Sequence, residues 1–133
     1  KSEEVIDFSI TEESIEKALD NYLFIMDNFK FAVESEGKEF YWILQPTPSY
    51  KKILSQEEKL NLDHAYSKYL VSDFREKLVF SYNYILDNNK NIIDLSGIFE
   101  DNSNTLYIDT CHYNDQANKI IASNVVEIIL KRN

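Results

Sequence analysis

The chain has 133 residues, 44% of them hydrophobic and 14% aromatic, which is the length of one domain with enough apolar material for a core and excludes a disordered tail. Its 23 acidic against 14 basic residues leave a net charge of -9 with no basic patch, which argues against nucleic acid as a partner. No apolar run has the length of a bilayer span, and the single cysteine, Cys111, excludes an internal disulfide and leaves the compartment open.

Ser2 to Ile10 is polar with scattered apolar residues and reads as a linker or a short strand. Thr11 followed by Glu12 and Glu13 is a helix cap with acidic first-turn residues that suit the helix dipole. Ile15, Ala18, Leu19, Tyr22, Met26, Phe29 and Val33 follow at spacings of three and four, the apolar face of a helix that Gly37 stops. Such a stripe is explained by core packing.

Glu39 to Gln45, EFYWILQ, is a continuous aromatic and β-branched run that predicts a buried strand, ended by Pro46 and Pro48. Ser55 to Glu58 is a capping box ahead of a helical pattern of about 30 residues that runs from Leu62 through Ala65, Tyr66, Tyr69, Leu70, Asp73, Phe74, Lys77, Leu78, Tyr82 and Ile85 to Leu86. That exceeds an ordinary helix, so a kink or two helices are expected. His64 within it reads as a surface or packing histidine. Asn91 to Leu95 predicts a short strand and Ser96 to Phe99 a turn or short helix.

The last stretch, TLYIDTCHYNDQANKIIA from Thr105 to Ala122, combines a strand-like run, a polar corner and a helix that Asn114 can cap, with Ile120, Ile121, Val125, Ile128 and Ile129 as its stripe. Asp109 and His112 stand at the corner, where a carboxylate can fix the tautomer of an imidazole and free its other nitrogen to act as a base. The plain alternative is a loop Asp that caps local amides. Cys111 reads as a small buried residue, because neighbours on an extended corner point to different sides and no fourth ligand completes a zinc site.

NIIDLSGIFED followed by LYIDTCHYNDQANKIIA resembles the C-terminal end of the SGNH hydrolases, the GDSL-type esterases and deacetylases, and FYWILQPTPSYKKILSQEEK resembles the strand, turn and helix cap in the middle of that domain. The resemblance implies an α/β, partial flavodoxin-like three-layer fold with a short parallel sheet and long helices. The strands Phe40 to Leu44, Ile92 to Asp94 and Leu106 to Ile108 are expected to share that sheet and run parallel, since a long helical crossover separates the first two and a turn plus a loop the others, with Asp109 and His112 at the C-terminal edge. It further implies that His112 is the catalytic base and Asp109 its orienting partner. Gln45, Thr47 and Tyr50 then line a substrate pocket, unless their loop is an ordinary connection.

Two positions depart from the family pattern, Tyr113 where a Pro is common and Ala117 where a Gly is common. The family's Gly-Asp-Ser nucleophile block and its G-x-N-D oxyanion motif have no counterpart, since the glycines are Gly37 and Gly97 alone. The expectation is a single domain over residues 1–133 that forms the C-terminal part of a serine ester hydrolase, inactive alone, with a small-molecule or carbohydrate ester as substrate and neither cofactor nor metal. It would associate with the N-terminal part or with a second copy. A non-catalytic α/β binding or assembly module is the alternative.

Overall fold

A computed structural model describes residues 10–69 and 73–132, so the expected linker at residues 2–9 and the stripe residue Leu70 lie outside the described residues. The elements run α1 (Glu12–Ser35), β1 (Ile43–Leu44), a 3₁₀ turn (Pro48–Tyr50), α2 (Gln56–Tyr69), α3 (Phe74–Asn88), β2 (Ile93–Asp94) and α4 (Asp115–Arg132). The fold is mixed α/β and mostly helical, and its described sheet is a parallel pair with Ile43 opposite Ile93 and Leu44 opposite Asp94. The long helical pattern resolves into α2 and α3.

The helix boundaries follow from local chemistry. Ser14 N donates to Thr11 Oγ1 at 3.2 Å at the start of α1. At its end Gly37 takes φ 67°, so that Gly37 N reaches Glu34 O and Lys38 N reaches Val33 O, and a glycine adopts that left-handed backbone without a Cβ penalty. Ser55 and Glu58 form the reciprocal box at α2, with Glu58 N donating to Ser55 Oγ at 3.2 Å and Ser55 N to Glu58 Oε2 at 2.8 Å. Asn114 caps α4 through the Ala117 amide at 2.9 Å.

Two apolar clusters form. The first joins Leu23 of α1, Trp42 and Leu44 around β1, Tyr82 and Ile85 of α3, and Ile92. Each such side chain taken from water contributes roughly 1.5–3 kcal/mol, so this cluster holds α1 and α3 against the sheet. Leu23, absent from the expected stripe, is the buried residue of α1, whereas Phe29 touches Phe40 edge-on and stays 57% exposed. The second cluster is Phe99, Leu106, Tyr107 and Ala117, with Tyr113, Ile120 and Ile121 packed around it.

The third expected strand does not join the sheet. Leu106 N and Tyr107 N, the donors a neighbouring strand would need, go to Glu58 Oε1 at 2.9 and 3.2 Å. Leu106 O accepts from Asn114 N, and Ile108 N donates to His112 O. Residues 106–114 therefore close on themselves as a short antiparallel hairpin with one bridge, Tyr107 to Tyr113. Backbone groups already satisfied have no bonds left to offer β2.

Candidate active site

The hairpin is held from below by a buried ion pair. Lys51 Nζ lies 2.6 Å from Glu58 Oε2 with both side chains fully shielded from solvent, and the same ammonium donates to Asn104 O. Glu58 thus closes the α2 cap, neutralises Lys51 and grips the entering arm of the hairpin. Burial pushes its carboxyl up, but the Lys51 ammonium and the amides of Leu106, Ser55 and Tyr107 outweigh this and hold it below the usual carboxylate range. From the other arm Tyr113 Oη donates to Pro46 O at 2.6 Å, which docks the hairpin on the segment leaving the C-terminal end of β1.

At the tip, Asp109 accepts three hydrogen bonds. Its Oδ1 takes the Cys111 amide at 2.8 Å and the His112 amide at 2.7 Å, and its Oδ2 lies 2.6 Å from His112 Nδ1. Those two backbone amides, and then the imidazole, pull the Asp109 carboxyl down to about 2. An ionised carboxylate only accepts, so the proton in the short contact belongs to Nδ1 and the Nε2 of a neutral His112 keeps its lone pair. The His112 side chain is 70% exposed, open to an approaching reactant.

The two expected catalytic residues therefore meet, with the ring exposed, but on a hairpin tip rather than on the edge of a sheet strand. Asp109 also caps local amides, so the two readings drawn from the sequence describe one arrangement. Cys111 is exposed rather than buried, because the corner is a tight turn, and its Sγ sits 3.7 Å from His112 Nδ1. Among the described residues Asp109, Cys111 and His112 are a group with metal-ligand chemistry, their ligand atoms within 4.8 Å of one another.

The expected substrate-lining residues behave differently. Gln45 is exposed beside Pro46, while Thr47 is buried and caps the 3₁₀ turn through Ser49 N at 3.4 Å. Tyr50 donates to Asn83 Oδ1 at 2.9 Å and packs on Tyr82, and no hydrogen bond among the described residues links it to Asp109 or His112. A polar hollow of about 170 Å³, lined by Lys30, Glu34, Phe40, Trp42, Lys90 and Asn91, opens at the N-terminal ends of the two strands, away from the hairpin.

Sequence reading missed Lys51 and Glu58 as supports of the site. The signal present was the capping box, whose glutamate carries a second oxygen free for another partner. Comparisons with protein-family models, with curated proteins and with solved structures found no match to this chain.

Proposed function

We propose that this chain supplies the general base and its orienting acid to a serine ester hydrolase of the esterase or deacetylase kind, acting on a small-molecule or carbohydrate ester. The observation that carries the reading is the 2.6 Å contact of Asp109 Oδ2 with His112 Nδ1, made by a carboxylate whose other oxygen is pinned by two backbone amides. In this role His112 Nε2 takes the proton of a serine hydroxyl during attack on the ester carbonyl and returns it to the leaving alcohol. Asp109 holds the tautomer and stabilises the imidazolium. No Gly-Asp-Ser block is present in these 133 residues, so this reading requires a serine and oxyanion donors supplied by other polypeptide.

The resemblance of the 91–101 and 106–122 segments to SGNH hydrolases supports the same reading. A second reading, a binding or assembly module without catalysis, is favoured by one feature, the exposed Phe24, Ile25 and Phe31 of α1.

Hydrolysis of a short-chain aryl ester separates them. A polypeptide extended upstream of Lys1 should turn over, this chain alone should not, and His112→Ala in the extended form should lose roughly three or more orders of magnitude in kcat. An extended protein that is active and indifferent to His112→Ala would remove His112 from the reaction.

A further inference from the structure

We infer that the hollow at the N-terminal ends of the two strands is a binding site for a small monocarboxylate with an apolar body. The inference does not rest on the hydrolase reading, since the hollow lies away from the hairpin. Phe40 and Trp42, which lead into β1, supply its apolar wall. Lys30 and Glu34 line it from α1, and Lys90 and Asn91 from the turn that leads into β2. Trp42 is 5% exposed, and its Nε1 is shielded from solvent with no hydrogen-bond partner among the described residues. Buried donors without a partner are rare in folded proteins, and this one belongs to a side chain that lines the hollow.

Charge and size define the ligand. The whole chain carries -9, yet Lys30 and Lys90 against Glu34 leave the lining of the hollow at +1. A monoanion neutralises that excess, whereas a dianion such as hydrogen phosphate overshoots it and a cation is repelled. Neither ammonium is saturated. Lys30 Nζ, on a side chain 28% exposed, has Glu34 Oε1 at 4.0 Å, the outer limit of an ion pair. Lys90 Nζ donates to Leu86 O at 2.9 Å and stands 3.7 Å from Asp87 Oδ1, which leaves it further N–H donors to give. A carboxylate offers two acceptor oxygens to these ammoniums while its body covers Phe40 and Trp42. The volume of about 170 Å³ is well below the roughly 300–1,000 Å³ of sites for drug-sized ligands, so the ligand is small.

The test is a titration of this chain with sodium benzoate at constant ionic strength, read by the fluorescence of Trp42, the single tryptophan, and by its indole Nε1–H resonance. A ligand of about nine non-hydrogen atoms at the low end of ligand efficiency binds with a Kd of roughly 10 mM, so a saturable response in that range or tighter is expected. Benzylamine, with the same ring and the opposite charge, should give none. Lys30→Gln should weaken benzoate by about tenfold, as loss of a charge-assisted hydrogen bond in a partly shielded place does. Lys90→Gln, at a side chain 77% exposed, should weaken it by about two- to fivefold. Glu34→Gln should tighten it by a similar factor, because it releases Lys30 and removes the one negative charge of the lining, which a merely structural role for Glu34 would not do. Lys52→Gln, at an exposed lysine paired with Glu100 and Asp101, should leave it unchanged. A response linear in benzoate, equal affinity for benzylamine, phosphate bound as tightly as benzoate, or a benzoate affinity unchanged in both Lys30→Gln and Lys90→Gln would overturn the site.

Discussion

The two halves of the molecule are stabilised by different means. Around Trp42, α1 and α3 pack on each other and on the two-stranded sheet through aliphatic and aromatic contacts, and among the described residues that cluster holds no buried ion pair. Under the hairpin, four small-cluster residues are helped by a fully buried lysine and glutamate whose four oxygen and nitrogen contacts reach α2, the loop at Asn104 and the backbone at Leu106 and Tyr107. Apolar packing tolerates small shifts, whereas a buried carboxylate with four donors fixes its partners to the geometry of those bonds. The Asp109–His112 pair stands on the second kind of support.

The largest effect should come from breaking that support. Glu58→Leu leaves the Lys51 ammonium buried without a counter-ion and should cost about 3–5 kcal/mol, read as a drop in the urea midpoint of unfolding at unchanged slope. Leu23→Ala in the other cluster should cost about 2–5 kcal/mol through the cavity it opens, while leaving the His112 tautomer signal in place. If Glu58→Leu falls within about 1 kcal/mol of the parent chain, the ion pair is not the anchor of the hairpin.

That asymmetry explains how much was legible in the sequence. Caps are short-range and were read directly: Thr11, the Ser55 to Glu58 box, Gly37 and Asn114, as was the meeting of Asp109 with His112 three positions away. The expected strands Glu39 to Gln45 and Asn91 to Leu95 do pair in parallel, but through two residues each, Ile43–Leu44 with Ile93–Asp94. The fate of Leu106 to Ile108 was not readable, because it depends on a side chain 48 residues earlier taking the strand's amide donors. Lys51 sits in a Lys-Lys pair that looks solvated, and nothing local marks it for burial. Cys111 was placed on the wrong side because a tight turn brings neighbouring side chains together, where an extended corner would part them.

A second, smaller effect is expected in acid. Asp109 and Glu58 both have folded-state carboxyls depressed below their ordinary values of 3.8 and 4.5, so each contributes stability that is complete above those values and is lost as pH falls through the folded value. For Asp109 that window runs from about 4 down to about 2. The single tryptophan, Trp42, reports the other cluster. Hydrogen exchange at the Cys111 and His112 amides should therefore accelerate in this window before Trp42 fluorescence changes. Simultaneous loss of both signals would show one cooperative unit instead of two.

The smallest effect is expected on α1, and it sharpens the contrast from the outside. Phe24, Ile25 and Phe31 are 69%, 62% and 74% exposed, so the helix is held by Leu19, Leu23 and Met26 on its other side and gains little from these rings. Phe31→Ser in dilute protein should change unfolding stability by less than about 0.5 kcal/mol, the usual range for a surface change that touches no special feature. A face covered by a second copy behaves otherwise, since dimer formation adds stability that grows with protein concentration and is lost with the ring. Melting curves of the parent chain and of Phe31→Ser over a wide concentration range separate the cases. Coincident, concentration-independent curves leave α1 anchored from one side only, and a parent curve that climbs with concentration while the variant stays flat makes the apolar face of α1 an interface between copies.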